Sequence, residues 1–253
     1  MRTVHATRYL TPLREGGSVP AIVEADDDGT YVAKFRGAAQ GTKALVAEIV
    51  AGELGRLLEL PVPRIVLLEL DLLLSKSEPD PELQDLLRKS AGINVALDYL
   101  PGALNWEPPL APPPDRALAA QIVWFDAFIT NVDRTVRNPN MLIWHRRLHI
   151  IDHGASLYFH HAWHDHLARA RSAFPAIRQH ALLPLASSLH DADAQLAPRI
   201  TEEALRTILA AVPDEWLTEE TSAELTRAGY VEHLWARLQE RQAFVEEAER
   251  ARV

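Results

Sequence analysis

The sequence predicts an α+β fold, with β-rich residues 1–100 followed by mainly helical residues 101–253. Three observations carry this. Residues 1–37 alternate short apolar runs with two turn segments, Arg14-Glu15-Gly16-Gly17-Ser18 and Asp26-Asp27-Asp28-Gly29. Beyond residue 180, apolar residues recur at helical spacing in successive segments. Between the two parts lies EPPLAPPPD, residues 107–115, a stiff proline-rich stretch that marks the passage into the helical part.

In chain order, strands are predicted at residues 3–10, 20–24 and 31–35. Gly16-Gly17-Ser18 would let backbone N–H groups and a hydroxyl close over phosphates, and Lys34, in Val32-Ala33-Lys34-Phe35, would put a cation beneath them. Thr42 can cap a helix that runs to about Glu59 and stops before Pro61-Val62-Pro63. On it Val46, Ile49, Val50, Leu54 and Leu57 form one wide face, and Glu48 shares the other with Gly52 and Gly55. Residues 62–74 read as one or two strands. Residues 75–90, with KSEPDPELQD, read as an acidic exposed insertion. Residues 93–100, followed by Pro101-Gly102, form the next strand.

Residues 120–129 are apolar at helical spacing, so Asn131-Val132-Asp133 falls where a packed helix gives way to a loop. Asn138-Pro139-Asn140 is turn chemistry. Residues 141–144 and 148–151, joined by His145-Arg146-Arg147, read as a β-hairpin. The hairpin brings Asp133, Asn138 or Asn140, and Asp152 to one end. A carboxylate able to accept a hydroxyl proton, with an Asn and an Asp offering hard oxygens to Mg²⁺, is the minimal set for phosphoryl transfer. His160, His161, His164 and His166, with Asp165, raise a metal site. No HExxH-type signature occurs, and the stretch reads as a solvated helix or substrate-facing loop. Helices are predicted at residues 182–196, 201–212, 218–228 and 230–250, the last two separated by Gly229, as scaffold.

A hydrophobic content of 47% is ample for a core, and no cysteine is present, which excludes disulfides, a thiol nucleophile and cysteine-ligated zinc. Thirty-five acidic residues against 26 basic ones give a net charge of -9, which disfavours general nucleic-acid binding and anionic membranes. The first residues lack an apolar core, and the longest apolar run, residues 65–74, is interrupted by Glu69 and Asp71, so a cytoplasmic protein without a membrane span is expected. Oligomeric state is not legible.

The run from Trp124 to Phe159 resembles the catalytic and metal-binding segment of the protein-kinase-like superfamily: Asp133, four residues, Asn138, a hairpin, then Asp152-His153-Gly154. The Asp-Arg pair is closer to lipid kinases and HipA-like bacterial kinases than to the His-Arg-Asp order, and NVDRTVRNPNML with IDHG is most similar to the HipA-like kinase domain. The resemblance implies a bilobal protein-kinase-like fold, with a small β-rich N-lobe carrying one helix and a mainly α-helical C-lobe. It further implies an ATP- and Mg²⁺-dependent phosphotransferase acting on a protein Ser or Thr hydroxyl. Asp133 would be catalytic, and Asp152 with Asn138 or Asn140 would bind metal. Gly16, Gly17 and Ser18 would cover the phosphates, with Ser18 matching the family's loop serine. Lys34 matches the nucleotide-binding lysine. Alignment assigns its partner to Glu48, with Glu53 as runner-up, and adenine would bond the backbone at Asp98, Tyr99 and Leu100. Three departures stand out: two asparagines follow Asp133, His153 replaces the usual Phe, and no segment resembles an activation loop. Other readings of the same residues are a nucleotide-binding pseudokinase or interaction module, a kinase for small molecules or lipids, and a metal-dependent phosphohydrolase built on Asp152, Asp165 and the histidines.

Overall fold

The computed structural model describes residues 1–13, 19–108 and 111–252. The chain divides into two compact units, Met1–Ile49 with Pro63–Pro101, and Val50–Val62 with Gly102–Val253.

In the first unit, β1 (Thr3–Pro12), β2 (Ala21–Ala25), β3 (Thr30–Lys34), β4 (Ile65–Leu70) and β5 (Gly92–Asp98) close into a barrel in the order β1-β2-β3-β5-β4. All neighbours are antiparallel except β1 and β4, which run parallel from Thr3↔Leu67 to His5↔Glu69. Residues alternate between buried and half-exposed along β2 and β3, as one inward face demands. Val23, Tyr31, Val66 and Leu68 lie in the barrel core, where each large apolar side chain contributes about 1.5–3 kcal/mol on full burial. At the turn between β2 and β3, Gly29 is dictated by contact: a Cβ there would lie 2.5 Å from the Tyr31 hydroxyl.

Helix α1 spans Gly41–Leu57. Gly41 itself takes the opening bend at φ +66°, a conformation costly for Thr, so Thr42 sits in the first turn and does not cap it. Of residues 62–74 only β4 is a strand; Leu72–Ser77 form a 3₁₀ turn. Most of the described residues in 75–90 are exposed, as expected, but the stretch holds a helix anchored at a few buried positions. Asp80 caps α2 (Pro81–Lys89) by accepting from the N–H groups of Glu82 and Leu83, and Leu87 is buried in the barrel core. Ser75 and Ser90 are also buried, and Ser90 accepts a 3.2 Å bond from Gly37 N–H.

In the second unit, Asp115 caps α3 (Arg116–Phe128), accepting from Ala117 and Leu118 N–H. The sheet β6-β7-β8 comprises β6 (Leu104–Asn105), β7 (Met141–Trp144) and β8 (Arg147–Ile150). Arg147 already pairs with Trp144, so the turn is the two residues His145 and Arg146, both at positive φ, the mirror-image turn that matches strand twist. Two short 3₁₀ turns within Tyr158–Asp165, separated by a kink at Ala162, lead into α4 (His166–Ala170). Then follow α5 (Leu189–Leu196), α6 (Glu202–Leu209), α7 (Ala223–Gln239) and α8 (Gln242–Arg252), with Ser188, Thr201 and Ser222 capping the first three.

Three predicted helices were misplaced. Pro184 stands in a 3₁₀ turn, Leu183–Leu185, and the helix starts only at Leu189. Helix α7 runs through Gly229, where a Cβ would meet Trp163 Cζ2 at 2.6 Å; the glycine makes room for an indole and does not end a helix. The break falls near Glu240. Buried Arg237 donates to the carbonyls of Ala127, Phe128, Ala170 and Ser172, tying the end of α3 to the end of α4. Among the described residues, no helix is long and apolar enough to cross a membrane.

Candidate active site

Asp126 is the one acid in the buried half of α3, and a charge there must be matched. It accepts from Arg134 Nε at 2.5 Å, His180 Nε2 at 2.8 Å and Asn131 Nδ2 at 3.0 Å. Burial alone would raise its pKa, but the Arg134 guanidinium and His180 more than offset this and hold the carboxyl well below the usual range. His180 Nδ1 accepts from Leu182 N–H, which leaves the ring proton on Nε2, facing Asp126.

The chain leaves α3 through Thr130, at φ +53°, and such a conformation costs a β-branched residue about 1–3 kcal/mol. Asn131 Oδ1 then accepts from Asp133 N–H at 3.0 Å, fixing where that residue stands. Asp133 Oδ2 accepts from Asn138 Nδ2 at 2.8 Å and from Asn140 Nδ2 at 3.3 Å. A carboxylate only accepts, so each amide turns its NH₂ toward Asp133 and its oxygen elsewhere. Asp133 Oδ1 has no hydrogen-bond partner among the described residues.

Arg134, fully buried beside Asp133, spends all five guanidinium N–H groups. Besides Asp126, which takes both Nε and Nη2, Nη1 donates to Asn140 O at 2.6 Å and Ile151 O at 3.1 Å, and Nη2 to His153 Nδ1 at 3.1 Å. That last bond places the ring proton of His153 on Nε2. Asn140 O also accepts from Ile151 N–H at 3.0 Å, so the backbones at Asn140 and just before Asp152 are joined directly. Both residues are left-handed, Asn140 at φ +49° and Asp152 at φ +56°. His153, which stands where Phe was expected, is buried and packs edge-on to Phe125.

In the first unit, Lys34 Nζ lies 2.7 Å from Glu48 Oε2, with Glu48 fully buried and the lysine side chain 12% exposed. Glu53 faces Arg56 instead, at 3.7 Å. At the end of β5, Asp98 N–H donates to Arg64 O and Tyr99 N–H to Thr30 O, while Leu100 N–H has no backbone partner among the described residues. Gly16, Gly17 and Ser18 lie outside the described residues.

The histidine run divides. His160 is buried with Nδ1 3.0 Å from the Tyr230 hydroxyl, and His166 Nδ1 donates to Trp163 O at 2.8 Å, whereas His161 and His164 are exposed. Among the described residues no group of three or more His, Cys, Asp or Glu could hold a metal. Sequence reasoning missed Asp126 and His180. A lone acid in the apolar run 122–129 was a visible signal of a buried partner; His180 gave none.

The sequence model of the HipA-like kinase family matches residues 7–246. Among solved structures, the chain resembles the Helicobacter pylori proinflammatory kinase CtkA (TM-score 0.61, 16% identity, 99% of this chain and 98% of that one). It also resembles a Golgi casein kinase with Mn/ADP bound (TM-score 0.50, 14% identity, 98% of this chain and 73% of that one). A search of curated proteins finds no match. At such identities the structural likeness speaks for the fold, a β-rich first part and a helical second part as in kinases. The family match spans nearly the whole chain, which therefore belongs to the HipA-like kinase family.

Proposed function

We propose that this kinase transfers the γ-phosphoryl group of ATP, with Mg²⁺, to a Ser or Thr hydroxyl of a protein. The observation that carries the reading is the state of Asp133: one carboxylate oxygen is held by two amides and the other is open to accept a hydroxyl proton. In this role Asp133 orients the attacking hydroxyl and takes its proton as the new O–P bond forms and the bond from the γ-phosphorus to the β–γ bridging oxygen breaks, with ADP as the leaving group.

The donor set suits a divalent cation of the hard kind. Asp152 offers a carboxylate and Asn140 or Asn138 an amide oxygen, and Mg²⁺ characteristically takes one or two protein ligands, with phosphates and water completing six. Bound there, it would neutralise charge building on the phosphates. The solved Golgi casein kinase with Mn/ADP bound supports nucleotide and divalent-metal use by this fold. We assign Asn140 ahead of Asn138, since its backbone is bonded to Ile151 next to Asp152. Lys34, oriented by buried Glu48, would hold the α- and β-phosphates, and Gly16, Gly17 and Ser18 would cover them. Of the stretch Asp98, Tyr99 and Leu100, the Leu100 amide is the donor left for adenine, because the other two are used within the barrel.

The test is a thermal-shift comparison of ATP plus Mg²⁺ against ATP plus chelator, followed by mass spectrometry of the chain and of Ser/Thr peptides after incubation with both. Metal-dependent stabilisation with phosphate on a Ser or Thr is expected. Stabilisation without any transfer would mark a pseudokinase, and transfer only to small hydroxyl compounds or lipids would overturn the protein acceptor.

A further inference from the structure

We infer that Arg134 is a positioning residue which sets the metal-binding geometry from behind, by gripping the backbone at both proposed metal ligands; this rests on the assignment of Asn140 and Asp152 above. Its Nη1 group donates to Asn140 O and to Ile151 O, the carbonyls of one ligand residue and of the residue preceding the other. Those two ligands are left-handed, a conformation that Asn and Asp adopt more readily than other non-glycine residues and that places both at turns of the chain. The β7–β8 ladder ends at Met141↔Ile150, just short of both. Beyond that point Arg134 and the Ile151–Asn140 bond bind the two chain segments together.

The grip is itself fixed. Asp126 and His153 saturate the remaining guanidinium N–H groups, and His180 and Asn131 fix Asp126. Since Arg134 directly follows Asp133, one planar group couples the residue that meets the hydroxyl to the two that meet the metal. A planar fork with five fixed donors does this; an ammonium with three mobile ones does not.

Arg134→Lys keeps the charge beside Asp126 and removes the fork. In the full chain, three quantities are compared with the parent: the Mg²⁺ concentration giving half-maximal transfer, kcat against the KM for ATP, and ATP binding in chelator. The Mg²⁺ midpoint is expected to rise about 10- to 100-fold with a fall in kcat, as when outer-shell partners of ligands are removed, and binding in chelator is expected to stay near the parent value. A variant that only loses active fraction or melting temperature, with its Mg²⁺ midpoint unmoved, overturns the inference. Asp152→Asn separates the two levels: if it too leaves the midpoint unmoved, the metal assignment itself falls; if it shifts the midpoint and Arg134→Lys does not, only the role of Arg134 falls. Should circular dichroism show Arg134→Lys unfolded, His180→Asn carries the test, because it withdraws one donor from Asp126 and leaves the Arg134–Asp126 pair. A smaller rise of the midpoint is then expected, and none overturns the inference.

Discussion

Mild acid should destabilise the helical unit through His233, and the size of the effect follows from where that ring sits. His233 on α7 is buried, stacks on Phe159 with centroids 3.5 Å apart, and donates from Nδ1 to His166 O at 2.6 Å. Burial pushes its pKa down to about 3 from 6.5; the bond to His166 O works the other way, and nearby Arg237 and His166 add to the depression. The folded chain therefore stays neutral at this ring where the unfolded chain takes up a proton. A depressed folded value means that the contribution to stability is complete above pH 6.5 and is lost as pH falls through 6.5 toward 3. With those two values linkage gives a loss of about 0.2 kcal/mol at pH 7 and about 2 kcal/mol at pH 5. Over that interval the melting temperature should fall by about 4–8 °C on this account. Urea unfolding at pH 7 and pH 5 of the parent and of His233→Gln provides the assay. Gln cannot titrate yet can still donate to His166 O, and the other histidines are common to both proteins. The variant should lose about 2 kcal/mol less than the parent between the two pH values. Equal losses would show that the ring is already protonated in the fold or exposed to water, and the argument from burial would fail.

Two further outcomes concern the proposed site. Asp152→Asn should raise the Mg²⁺ needed for ATP binding, while Asp133→Asn should leave ATP affinity nearly intact and cut transfer by about 10²–10⁴-fold; calorimetric titration and a transfer assay check this, and equal loss of affinity in both would mean the roles are misassigned. Lys34→Met removes the ammonium 2.7 Å from the buried Glu48 carboxylate and should cost about 3–5 kcal/mol in denaturant unfolding, with Lys34→Met plus Glu48→Gln recovering part of it.

What could be read from the sequence was whatever is local in period or in turn chemistry. The hairpin between Asn140 and Asp152 was legible because alternating apolar residues flank a polar turn. Helix α2 was legible too and was overlooked: Asp80-Pro81-Glu82 is a helix start, and Leu83, Leu86 and Leu87 repeat at helical spacing, but the acidic composition drew the reading outward. The partner of Lys34 was beyond any helical wheel, since residues 45–52 are all buried and α1 has no polar face there; Glu48 came from the family pattern, and the ion pair is present. Glycine was ambiguous by nature. Gly229 looks in sequence like the end of a helix, and only the indole of Trp163 against it shows that it permits contact. Least legible was the assembly of Asp126, Arg134, His153 and His180, whose members come from separate turns and helices and carry no common spacing.

The choice between Asn138 and Asn140 is now a matter of mechanics as well as spacing. Both amides reach the same oxygen of Asp133, and both side chains carry the same hard ligand atom. They differ in what stands behind them. Asn138 is exposed and belongs to a tight turn with Thr135, whose hydroxyl and carbonyl accept from its N–H. Asn140 is half-buried, and its carbonyl is bonded to both Ile151 N–H and Arg134. A ligand that must meet a cation together with Asp152 loses least on binding if its backbone is already fixed to the segment carrying Asp152. Asn140→Ala should therefore raise the Mg²⁺ required for ATP binding, and Asn138→Ala should not, each followed by a Mg²⁺ titration at fixed ATP. Pro139 between them restricts Asn138 to extended backbone, so one asparagine cannot slide into the other's place. A raised requirement in Asn138→Ala alone would show that the four-residue spacing from Asp133 governs the site and that the backbone tie to Ile151 does not.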